Sequence, residues 1–148
     1  MTDLHAIARQ MVQDGRGVLA ADESIGTMTS RLEAAGIAGT AENRRAYRET
    51  LLTGQGLGEV VSGVIWCAET FEDSLADGTP FPVAARERGI LPGIKVDTGT
   101  SLLPRGDGAT ITEGLDKLGE RLAYYAKDHA AFAKWRAVID VNNASVYS

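Results

Sequence analysis

Three apolar runs in this sequence end in charged side chains, and that recurrence constrains the fold more than any other feature. Leu19-Ala20-Ala21 leads into Asp22, Glu23 and Ser24; Val64 to Ala68 leads into Glu69-Thr70; Ile94-Lys95-Val96 leads into Asp97-Thr98. A fourth run, Phe132 to Ile139, carries Lys134 and Arg136 within it. Short apolar runs of this kind read as strands, and charge buried without a partner is strongly unfavourable. The repetition predicts one polar centre fed by several strand ends, an enzyme-like arrangement.

Helical spacing fills the intervals. Leu4, Ile7, Ala8, Met11 and Val12 mark a first helix that Gly15 stops, and Val18–Ala21 is the first strand. A second helix follows Asp22, with Met28, Leu32 and Ala35 on one side and Gly36 as its stop. Thr40 caps a third, Val60–Ala68 is the second strand, and a helix near Val83–Arg88 precedes the third strand, Gly93–Asp97. Thr110 and Glu113 have capping-box spacing ahead of a helix whose apolar face is Leu115, Leu118, Leu122 and Tyr125. Ala133–Val141 is the fourth strand. Alternation with nearly continuous apolar strands predicts an α/β fold of parallel strands covered by helices. Charged strand ends favour a (β/α) barrel over an open sheet, because barrel enzymes draw their groups from several strands. Four strands are half of the usual eight, so residues 1–148 are expected to be a truncated part of one barrel domain.

With 148 residues, 44% of them hydrophobic, the chain can bury a core, and its formal charge of −5 argues against a nucleic-acid partner. Arg44, Arg45 and Arg48 leave room for a local basic pocket. Cys67 is the single cysteine and cannot form an internal disulfide, which fits a reduced, cytoplasmic setting, and its apolar surroundings suggest a packed residue. Neither a signal peptide at Met1–Gln10 nor a membrane span is read. His5 and His129 suggest no metal site, and no cofactor is expected.

Alternation places Lys95 and Asp97 on one strand face, and Lys134 and Arg136 on another. A lysine stem lying along apolar surface with its head in water is the bland reading. Two cations on a covered strand are better explained by a polar barrel centre holding carboxylates and substrate anions. Glu23 reads as a helix-starting acid, whereas Asp22, closer to the strand end, reads equally as that or as a group aimed into a cavity. Ser24, Gly26 and Thr27 open a helix with Arg31 one turn deeper; with Arg44 they suit either a phosphate or an ordinary capped helix with solvated arginines. Gly54-Gln55-Gly56-Leu57-Gly58 follows a helix and precedes a strand, the wrong order for a dinucleotide loop, and reads as a flexible connection.

The chain resembles the class I fructose-bisphosphate aldolases. The matching blocks are residues 15–24, Glu42 to Arg48, Asp77 to Pro82, Gly93 to Asp97, Thr112 to Asp116 and Phe132 to Arg136, in the family's order over almost the whole chain. The resemblance implies a TIM (β/α)8 barrel of which the first four β/α units are present, and a homotetramer when full length. It implies reversible, metal-independent cleavage of fructose 1,6-bisphosphate to dihydroxyacetone phosphate and glyceraldehyde 3-phosphate, a glycolytic reaction that runs through a lysine Schiff base.

Carried over position by position, the resemblance makes Asp22 a substrate-positioning and proton-transfer group, and Lys95 and Lys134 auxiliary lysines that stabilise oxyanion and phosphate charge. Arg136 matches the arginine beside Lys134; Ser24, Arg31 and Arg44 match sugar-phosphate positions, and Thr27 keeps the hydroxyl of a family serine. The family's imine-forming lysine and principal glutamate lie on later strands, and none of Lys95, Lys117, Lys127 and Lys134, the only lysines, stands in that lysine's motif. An inactive half-barrel that binds sugar phosphates or serves as an interaction module is the alternative, and the choice between fructose 1,6-bisphosphate and fructose 1-phosphate is open.

Overall fold

A computed structural model describes residues 3–104 and 108–139. The chain opens with helix α1 (Leu4–Val12), capped by the Asp3 carboxylate on the His5 N–H, and a 3-10 turn at Gln13–Gly15 delivers it to strand β1 (Gly17–Ala21). Helices α2 (Ile25–Ala34) and α3 (Ala41–Leu52) follow, capped by Ser24 and Thr40. Gly36, at φ +77°, turns the chain out of α2 in a conformation that carries no penalty for glycine. Next come α4 (Leu57–Val60), β2 (Val61–Trp66), α5 (Ala68–Phe71), α6 (Phe81–Glu87) and β3 (Leu91–Lys95). A hairpin of β4 (Gly99–Leu102) and β5 (Thr110–Glu113), helix α7 (Leu118–Lys127) and strand β6 (Phe132–Lys134) complete the described elements.

The main sheet is parallel in the order β1-β2-β3-β6, with Ala21 opposite Trp66, Trp66 opposite Ile94, and Lys95 opposite Lys134. One face carries Ala21, Val64, Trp66 and Ile94, which join Leu52, Phe71, Phe81, Ala85, Ile90 and Tyr125 in the core. Phe81 meets Trp66 edge-on at 5.5 Å, and Phe71 meets Tyr125 at 5.3 Å, the geometry that aromatic quadrupoles favour. The opposite face is open along β1, where Val18 is 40% exposed. There the Phe132 ring lies over Gly63 and Gly93, and a Cβ at Gly93 would collide with it. These glycines are where they are because the ring needs the space.

Four expectations require correction. The Thr110/Glu113 pair is not a capping box: it spans β5, which pairs antiparallel with β4, and Ser101 Oγ donates to the Glu113 carboxylate. Alternation of β-branched residues in Thr-Ile-Thr wins over capping spacing, and α7 starts only after Lys117, which adopts φ +53°. Leu115 therefore lies ahead of the helix and is exposed. The fourth strand ends at Lys134 rather than running on through Ile139, because its partner β3 ends at Lys95 and offers no further ladder; residues 140 and 141 lie outside the described residues. Glycine-rich residues 54–58 are not wholly a connection, since Gly56, at φ +76°, caps the short helix α4. Arg44, Arg45 and Arg48 form no basic pocket, because each faces a carboxylate: Glu69, Glu42 with Glu49, and Glu23 respectively.

Candidate functional site at the strand ends

The carboxyl ends of the parallel strands surround a cleft of about 780 Å³. Beyond Ala21, β1 delivers Asp22 and Glu23, and Ser24 then starts α2 by accepting the Thr27 N–H at 3.2 Å, with the two hydroxyls 3.0 Å apart. Strands β3 and β6 deliver Lys95 and Lys134 as their last residues, and Asp97 and Arg136 follow two positions later. Asp22, Ser24, Thr27, Arg31, Lys95, Lys134 and Arg136 all line this cleft. Arg44 does not. Its guanidinium is taken by Glu69 (2.5 Å), the Gly39 carbonyl (2.8 Å) and Thr29 Oγ1 (3.2 Å), which clamps α2 and α3 to the end of β2. It reaches the cleft only through Glu69, which does line it.

Most cleft cations are matched to carboxylates. Lys134 Nζ donates to Asp22 Oδ2 at 2.5 Å, joining residues 112 positions apart. Lys95 Nζ donates to Asp97 Oδ1 at 2.7 Å and to the Asp97 carbonyl at 2.9 Å. Glu23 stands between Arg31 and the buried Arg48, accepting from Arg31 at 2.6 Å. Arg48 Nη1 is 2.7 Å from Glu23 Oε2 but off the hydrogen-bond line, so that contact is electrostatic in character. Arg136 is different: its side chain is 46% exposed and its Nε is 4.0 Å from Asp97 Oδ1. Burial works to raise the Asp97 carboxyl, but the Lys95 hydrogen bond and charge, with Arg136 and the Gly99 N–H, outweigh it and hold the group below its ordinary value.

Several neighbours escaped the sequence reading. The hairpin braces the cleft: the Thr98 N–H donates to Glu113 O at 3.0 Å, and Thr112 Oγ1 donates to Arg136 O at 2.9 Å. Arg121 on α7 donates to Val96 O at 2.9 Å and to Gly114 O, fixing the turn that carries Asp97. Cys67 lines the cleft with its thiol 3.5 Å from Thr70 Oγ1, so it is more than core packing. The sequence reads Cys67 as a packed residue within the second strand and Asp97 as the charged end of the third, whereas both lie just beyond the observed strand ends. The roles of Arg121 and Thr112 depend on the hairpin and had no local signal.

A curved parallel sheet with helices on its outer face and charged groups at its carboxyl strand ends defines part of a (β/α)-barrel enzyme scaffold. A family model for class I fructose-bisphosphate aldolase matches residues 3–148. Among curated relatives, fructose-bisphosphate aldolase C of Carassius auratus is 46% identical over 144 residues, 97% of this chain and 40% of that protein. A probable class 1 aldolase of Xylella fastidiosa (strain Temecula1 / ATCC 700964) is 49% identical over 136 residues, 92% of this chain and 41% of that one. A solved structure of fructose-bisphosphate aldolase from Plasmodium falciparum, in complex with TRAP and a small-molecule inhibitor, superposes with a TM-score of 0.89 at 41% identity. It is matched over 95% of this chain and 41% of its own length. The chain belongs to the class I fructose-bisphosphate aldolase family, and spans about 40% of the length of the curated relatives it matches.

Proposed function

We propose that residues 1–148 form the N-terminal half of one (β/α) barrel domain and supply one wall of a class I aldolase site. The reaction is the reversible cleavage of fructose 1,6-bisphosphate to dihydroxyacetone phosphate and glyceraldehyde 3-phosphate. The observation that carries this reading is the convergence of Asp22, Lys95 and Lys134 from three strands on one cleft. In this reading Asp22 holds the Lys134 ammonium and exchanges protons with substrate hydroxyls, while Lys134 and Lys95 stabilise oxyanion and phosphate charge. Arg136 and Arg31, with the hydroxyls of Ser24 and Thr27 at the start of α2, receive a phosphate group. Arg44 contributes indirectly, by holding Glu69 against the cleft rim.

The imine-forming lysine is not assigned to any residue of this chain. The resemblance places it on a later strand, and the two cleft lysines are occupied by carboxylates. The 148 residues taken alone therefore bind sugar phosphates rather than cleave them. Binding of a sugar bisphosphate is the step this wall performs by itself. A homotetramer, in keeping with the resemblance, would cover the exposed Leu102, Ile111 and Leu115 around the hairpin. Among the described residues no helix is long and apolar enough to cross a membrane; a cytoplasmic setting suits the chain's single cysteine.

Isothermal titration of the chain with fructose 1,6-bisphosphate, inorganic phosphate and fructose tests the reading. The bisphosphate should bind most tightly and fructose least, and Lys134→Met should weaken the bisphosphate more than inorganic phosphate. Equal affinity for all three would refute it.

A further inference from the structure

Asp97 is the most deeply buried ionisable group of the cleft, with its side chain 0% exposed. Its carbonyl and Oδ1 both accept from Lys95 Nζ, and Oδ1 also accepts the Gly99 N–H at 3.3 Å. Oδ2 is buried and has no hydrogen-bond partner among the described residues. Buried carboxylate oxygens without a donor are rare, and their cost has to be offset by what the charge achieves nearby. A lysine needs only one carboxylate oxygen for neutralisation, but two acceptors from one residue fix the direction of its ammonium as well. The turn is itself secured by Arg121 on Val96 O, so this acceptor pair cannot easily follow the lysine if it swings.

We propose that Asp97 is a positioning residue: it locks the Lys95 ammonium toward the cleft, with Arg136 at its side, so that anionic ligand meets two cations in fixed geometry. This rests on the sugar-phosphate reading of the cleft. The alternative is that Asp97 merely offsets positive charge, and the two have opposite consequences. If charge alone mattered, Asp97→Asn would raise the positive potential and tighten a bisphosphate. If positioning matters, the same substitution frees the ammonium and weakens it.

Two measurements on the full chain decide the matter. In spectra of side-chain ammonium groups, Lys95 should give a resolved, slowly exchanging signal that Asp97→Asn abolishes while the backbone amide spectrum is retained. By titration, Asp97→Asn should weaken fructose 1,6-bisphosphate by about tenfold, and should have no further effect in a Lys95→Met background, since a residue acting only through another shows complete coupling. A Lys95 signal unchanged by Asp97→Asn, or tighter bisphosphate binding, overturns the proposal. Should the unmodified chain fail to bind the bisphosphate, the sugar-phosphate reading falls, and the Lys95 signal alone still decides whether Asp97 holds the ammonium.

Discussion

Lys95 and Lys134 are register partners on adjacent parallel strands, and each is bound by a carboxylate from a different direction. Registered neighbours share a face about 4.8 Å apart at the backbone, close enough for two ammonium groups to repel strongly if both were bare. Asp97 draws Lys95 toward the hairpin side, and Asp22 draws Lys134 across the concave face toward β1. Each ammonium is thereby paired with its own carboxylate instead of facing the other bare.

Removing the Asp22–Lys134 contact should loosen the sheet. Lys134 is 32% exposed and Asp22 11%, so solvent screens part of the loss. Asp22→Ala is expected to cost about 1–2 kcal/mol, between the values for exposed and buried pairs. Urea denaturation gives the number, and a loss below a few tenths would show that the pair is solvated in practice.

Gly93→Ala should be more damaging than its size suggests. The added methyl meets the Phe132 ring, and overpacking a filled space costs about 1–3 kcal/mol. Phe132→Leu in the same chain should recover part of that loss, so the double variant should be more stable than additivity predicts. Additive losses would mean that the ring moves aside without penalty.

Stability should fall in acid with a share traceable to Asp97. Its carboxyl is held below the ordinary value of 3.8, chiefly by Lys95 against the opposing effect of burial. A folded-state value below the unfolded one contributes stability that is complete above the unfolded value and is lost as pH falls through the folded one. Denaturation midpoints should be flat for this group above about pH 5 and decline below about pH 4. Asp97→Asn should make that decline shallower; an unchanged slope would remove Asp97 from the account.

Borohydride treatment of the 148-residue chain with dihydroxyacetone phosphate should give no stoichiometric adduct. Imine formation needs a free amine lone pair, and the Nζ of each cleft lysine is held as a hydrogen-bond donor to a carboxylate. Mass spectrometry of the treated chain reads the result directly. One covalent equivalent on Lys95 or Lys134 would place the nucleophile within these strands.

Much of the sheet was legible because parallel strands covered by helices leave apolar runs that period alone reveals: Val18–Ala21 and the Thr40 cap are where their residues place them. The convergence of Asp22, Lys95 and Lys134 was foreseeable from the cost of separate buried charges. Arg44 was not, since its partner Glu69 is 25 positions away and the sequence offers many acids of equal appeal. Thr110–Glu113 failed for a different reason. The same four residues satisfy a helix-capping spacing and a strand alternation, and only the presence of Gly99–Leu102 as a pairing partner selects the strand.

The contact between Asp22 and Lys134 has one more consequence. In a flat sheet β1 and β6 would stand about 14 Å apart with side chains pointing the same way, and could not meet. Their meeting ties the two outer strands of this sheet together like the string of a bow. The bend is thus bridged from within this chain, by an ion pair that can be removed by mutation. The bend of the sheet and the charge balance of the cleft therefore share the same two side chains.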